Sequence, residues 1–75
     1  MTLADIKDRG RCRIVGTADE HSELQSRLYA LGLYPGAVVD VLRRAPMGDP
    51  LQLKIGTSLM SIRSKEALLV KVEPE

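Results

Sequence analysis

His21 is the single histidine of this chain, and its neighbours are the first place to look for chemistry. Asp19, Glu20 and Glu23 stand beside it, and an imidazole among carboxylates suits Zn²⁺ or Fe²⁺. The rest of a metal site is missing from the sequence: there is no second histidine, no Cys-x-x-Cys pair and no Glu-x-x-His pair. No intrinsic metal site is therefore expected, and no cofactor is required. A weakly held or adventitious Zn²⁺ or Fe²⁺ has His21, Glu20 and Glu23 as its candidates. Nucleophilic catalysis is excluded on similar grounds. Ser22 is adjacent to His21 and Ser26 is further along, but adjacent residues at a helix start do not face each other. A base also needs a nucleophile in reach and a third group to orient it. His21 reads as a solvated or capping residue, and the chain as a non-enzyme. Cys12, the one cysteine, falls on the apolar face of a strand and reads as a small core residue rather than a reactive thiolate. Standing alone, it excludes an internal disulfide. The glycines are spread singly, and none opens a helix ahead of Lys-Ser/Thr, so no phosphate-cradling loop is present.

Composition narrows the remaining classes. Seventy-five residues make one domain, 1–75. A chain this short buries about 60–65% of the surface exposed on unfolding, so a modest core is expected. With no Phe and no Trp, that core must come from Leu, Ile, Val, Met and Ala. Eleven basic against ten acidic residues leave a net charge of +1, which does not favour a nucleic-acid partner. Arg43, Arg44, Arg63 and Lys65 are interleaved with Asp40, Asp49 and Glu66, as on an ordinary solvated surface. Tyr29 and Tyr34 are the only aromatic residues, too few for the stacking platforms of single-strand binders. The opening MTLADIKDRG carries charges where a signal peptide needs an apolar segment, and no apolar run reaches membrane-spanning length. A cytoplasmic location without direct membrane insertion is expected.

The elements that must position any site follow from the spacing of apolar residues. Leu3 and Ile6 suggest a short turn tucked under the fold. RCRIVGT alternates, with Cys12 and Ile14 on one face, and reads as a strand. From about Glu20 the period changes, and Leu24, Leu28 and Leu31 fall on one face of a helix. Asp19 and Ser22 are its candidate N-caps. Gly32 can close it in the left-handed region, leaving Leu33 to pack back on the last turn. Pro35-Gly36 suits a type II turn. Ala37, Val39 and Val41 alternate with Val38, Asp40 and Leu42, so this strand has apolar residues on both faces and is expected to be central. Pro46 and Pro50 flank Gly48-Asp49 in a second rigid turn. LQLKI and LMSIR form the next two strands, with Met60 and Ile62 inward. Ser64 caps a single turn over KEA, and LLVKV closes the chain with Val70 and Val72 inward. Five short strands bury their apolar faces economically by curling into a small barrel. The expected fold is mainly β, a five-stranded barrel with one α-helix between strands 1 and 2.

The ordered series LGL-x-PG, strand, AP-x-GDP, G-x-x-L-x-x-IR and EA before a last strand resembles the FeoA family. That resemblance runs from about Cys12 to Val72. It implies an SH3-like fold and a role as a small cytosolic accessory protein of bacterial ferrous iron uptake, docking on FeoB, a membrane transporter with a cytosolic GTPase domain. The same module occurs as a C-terminal domain in iron- and manganese-dependent repressors, so a stand-alone regulatory or metal-sensing module is the alternative implied. In either case a partner surface is expected. Tyr34 and Met47 are bulky apolar residues at turn tips, and Tyr is favoured at interfaces. Leu42 and Leu69 are candidates for apolar surface left on outer strand faces. Gly32, Pro35, Gly36, Pro46, Gly48, Asp49 and Pro50 form the rigid turn framework around them.

Overall fold

The computed structural model describes residues 1–17 and 22–75. Five strands, β1 Arg11–Thr17, β2 Val38–Arg44, β3 Leu51–Ile55, β4 Ser58–Ile62 and β5 Val70–Pro74, form one antiparallel sheet in the order β4-β3-β2-β1-β5. In chain order, helix α1 Ser22–Ala30 follows β1 and precedes β2, and the one-turn helix α2 Ser64–Ala67 joins β4 to β5. A 3-10 turn, Leu3–Asp5, precedes the sheet and buries Leu3. The expectations placed on Asp19, Glu20 and His21, and on the side chain of Ser22, lie outside what is described.

Period-two alternation sorts the strands cleanly. Cys12 and Ile14 are buried while Arg11, Arg13 and Val15 face solvent. Val39, Val41, Leu51, Leu53, Ile62, Val70 and Val72 complete the inner face, and β2 lies in the middle with a neighbour on each side. Leu28 of α1, Leu33, Leu3 and Ile6 cover that face from the other side. Each fully buried Leu or Ile contributes about 1.5–3 kcal/mol relative to an exposed one.

The expected barrel does not close. β4 and β5 are opposite ends of the sheet. The outer edge of β5 is already occupied by the N-terminal residues: the Val72 N–H donates to the Met1 carbonyl at 3.0 Å, and Thr2 bridges to Lys71. An occupied edge cannot also pair with β4, so the sheet stays open and, among the described residues, β4 has a neighbour on one side only.

The end of α1 also departs from expectation. Leu24 is half-buried and Leu28 buried, but Leu31 is half exposed. The helix stops at Ala30, and Gly32 turns the chain with φ +101°. Gly32 N–H donates to the Tyr29 carbonyl at 3.0 Å and Leu33 N–H to the Leu28 carbonyl at 2.9 Å, the bond pair of a Schellman cap. That reversal sends Leu33, not Leu31, into the core. The next turn is as expected: Ala37 N–H donates to the Tyr34 carbonyl at 3.0 Å, with Gly36 at φ +92°.

Candidate functional site

The rigid turn between β2 and β3 is built by residues that satisfy one another. Gly48 N–H donates to the Ala45 carbonyl at 2.7 Å, Ala45 N–H donates to the Pro50 carbonyl at 3.1 Å, and Asp49-Pro50 is a cis peptide. Across the fold, Ser64 Oγ donates to the Gly48 carbonyl at 2.6 Å and Ser64 N–H donates to Asp49 Oδ1 at 2.9 Å. Ser64 is thus not the cap of α2. It is the first helical residue, Arg63 holds the N-cap position without a side-chain bond, and Asp49 supplies the acceptor from another loop. Arg27 and Glu66 form an ion pair that ties α1 to α2.

This framework carries the candidate partner residues to different places. Tyr34 is 51% exposed in the turn before β2, and Met47 is 92% exposed at the tip of the turn after it. The seven residues of β2, a strand spanning about 20 Å, lie between these two turns. Leu42 is half-buried at an irregularity in the β2–β3 register, between Val41 and Arg43. It lines a depression of about 240 Å³ with Gln52, Leu53, Leu59, Met60 and Ser61. Leu69 is half-buried just before β5, and its N–H donates to the Glu66 carbonyl at 2.9 Å.

Two exposed leucines escaped the sequence reading. Leu59, on β4, is 72% exposed and shares the depression with Leu42. Strand alternation held the signal: with Met60 and Ile62 inward, Leu59 must point outward. Leu68 is 58% exposed because α2 geometry persists through it, at φ −65° and ψ −19°, and β5 begins only at Val70. A second depression, of about 340 Å³, is lined by Asp49, Pro50, Ser61, Ile62, Arg63 and Glu66. Both depressions adjoin β4.

One row of register partners on the outer face alternates in charge. Arg11, Asp40, Lys54 and Leu59 are successive register partners across β1, β2, β3 and β4. Arg11 Nε donates to Asp40 Oδ1 at 2.8 Å, and this bond raises the guanidinium pKa. Arg13 reaches Glu75 at 3.2 Å, with the same direction of shift from that bond. One of the basic residues read from sequence as solvated surface is structural. Arg44 is half-buried and donates to the carbonyls of Ala4 and Ile6, the latter at 3.1 Å, pinning the N-terminal segment.

Among the described residues, no three His, Cys, Asp or Glu side chains converge. Glu23 is exposed, and Glu20 and His21 lie outside the description. Cys12 is fully buried, and burial pushes its thiol from 9.0 up to about 11, which disfavours the thiolate a metal needs. No described helix is long and apolar enough to cross a membrane.

Comparison with known proteins gives one consistent result. A family model described as FeoA domain matches residues 1–74. The FeoA protein from Chlorobium tepidum is 35% identical, with a TM-score of 0.88 over 99% of this chain and 70% of that chain. FeoA from Stenotrophomonas maltophilia, an SH3-domain protein complexed with zinc, is 28% identical, with a TM-score of 0.82 over 97% of this chain and 89% of that chain. A manganese-dependent transcriptional repressor, 15% identical, shares the fold with a TM-score of 0.87 over 100% of this chain and 41% of its own length.

Proposed function

The chain belongs to the FeoA domain family, which places it in ferrous iron transport, and on that premise we propose that it acts as a cytoplasmic, non-catalytic adaptor docking on the cytosolic part of a FeoB-type transporter. The observation that carries this reading is Leu59, 72% exposed beside half-buried Leu42 and Met60 along one depression of a preformed sheet. A surface of this kind marks a protein contact. Tyr34 and Met47, at the two ends of β2, and Leu69 are further contact points on a partner large enough to span the strand. Docking biases the transporter by binding one of its conformations or nucleotide states better than another.

Calorimetric titration of the chain into the purified cytosolic portion of a FeoB-type transporter tests the reading. Saturable binding is expected, weakened about tenfold or more by Leu42→Glu and unchanged by Lys7→Ala on the exposed N-terminal segment. No heat of binding, together with capture of a repressor from cell extract, would select the regulatory module instead.

A further inference from the structure

The two edges of the sheet are treated differently. β5 is shielded by Met1 and Thr2, whereas β4 pairs only with β3. Edge strands that must stay unpaired commonly carry charge, proline or a bulge. β4, Ser58–Ile62, has no charge and no proline, its register with β3 is unbroken over five residues, and it exposes Leu59. The two-residue turn Gly56-Thr57, with Gly56 at φ +60°, makes Ile55 and Ser58 the closing hydrogen-bonded pair. Alternation from that pair directs the N–H and C=O groups of Leu59 and Ser61 toward the open edge.

Charge says what fits there. Across the outer face one row alternates in sign, Arg11 then Asp40 then Lys54, and ends on neutral Leu59. Asp40 is engaged by Arg11, Glu66 by Arg27, and Asp49 accepts the Ser64 N–H. Arg43, Lys54 and Arg63 are exposed and have no ion pair among the described residues. Arg63, extended at φ −70° and ψ 144°, continues the outward face of Leu59 and Ser61. A strand added at this edge would therefore be favoured by carboxylates on the outer face, beside Lys54 and Arg63.

We propose that the open edge of β4 takes up an extended acidic segment of a partner protein as a sixth strand, with backbone pairing to Leu59 and Ser61. Its carboxylates, on the outer face shared with Leu59, meet Lys54 and Arg63, and its apolar side chains fall on the opposite face beside Met60. Main-chain bonds supply the affinity and the flanking depressions the selectivity. A second copy of this chain fits less well, since its β4 brings no carboxylate. The inference rests on the docking reading for the identity of the partner but not for the chemistry of the edge.

The test uses the full ¹⁵N-labelled chain and two synthetic peptides of about ten residues, one alternating Val and Glu, the other Val and Lys. The Val-Glu peptide should shift the amide signals of Leu59 and Ser61 and slow their hydrogen exchange, and the Val-Lys peptide should not. Leu59→Glu should weaken binding about tenfold or more with the spectrum otherwise intact, and Lys54→Glu should shift preference toward the Val-Lys peptide. Equal binding of both peptides, or shifts confined to the Tyr34 and Met47 turns, would overturn the proposal. So would a transporter cytosolic portion that binds Leu59→Glu as tightly as wild type, an outcome that leaves transporter docking intact. Capture of the Val-Glu peptide at β4 without any binding of the transporter portion supports the edge and removes the transporter reading.

Discussion

Asp49 and Ser64, 15 residues apart in the chain, are joined by a hydrogen bond of 2.9 Å from the Ser64 N–H to Asp49 Oδ1. The same serine donates its hydroxyl to the carbonyl of Gly48, so one residue locks the β2–β3 turn to the start of α2. The short motifs AP-x-GDP and IRS are thereby two halves of one clamp.

Removing either half should be costly for a domain this small. Asp49→Ala and Ser64→Ala are each expected to lose about 1–2 kcal/mol, the range for a helix cap or a side-chain hydrogen bond whose partner is left unmade. Thermal melts would show this as a Tm drop of about 4–8 °C per kcal/mol. Because the two share one clamp, the double variant should lose less than the sum of the singles.

Gly32 is required for its backbone angle rather than for space. A Cβ there would meet Ile55 Cγ2 at an ordinary 3.7 Å, but φ is +101°. Gly32→Val should therefore cost more than about 1 kcal/mol and Gly32→Asn distinctly less. Equal urea midpoints for both variants and wild type would contradict the Schellman cap.

The core and the loop tips should separate in the same assay. Val39 is fully buried, and Val39→Ala is expected to destabilise by about 1–3 kcal/mol. Met47→Ala and Tyr34→Ala should stay within about 0.5 kcal/mol of wild type. If they melt as early as Val39→Ala, neither belongs to a docking surface.

Cys12 links stability to alkaline pH. Its folded-state thiol lies near 11 against an ordinary 9.0, chiefly through burial. Between these values the unfolded chain has lost the proton that the folded chain keeps, so the slope of unfolding free energy with pH is negative. The contribution is fully present below pH 9.0 and is lost as pH rises toward about 11. Urea midpoints of wild type and Cys12→Ala across that window should show the loss in wild type alone.

Much of the fold is legible from residue type and spacing. Alternation through Cys12 and Ile14 marks β1, and Pro35-Gly36 marks a turn, because both depend on neighbours in the chain. Closure of the sheet is not legible, since it depends on Met1 and Thr2 reaching β5 from the far end of the sequence. Arg44 reads as surface charge until the carbonyls of Ala4 and Ile6 are found beside its guanidinium. Of the site, Leu42 was visible as an apolar residue on an outer face. Leu59 is its neighbour only because β4 pairs with β3 in this register.

The central claim is that the chain serves ferrous iron transport by docking through this surface. Uptake of ferrous iron by cells deleted for the chain, and then supplied with wild type or with Leu42→Glu, tests it most directly. The account expects uptake to fall on deletion, to recover with wild type and to stay low with Leu42→Glu present as folded protein at wild-type level. Uptake unchanged by deletion, or fully restored by Leu42→Glu, would contradict it.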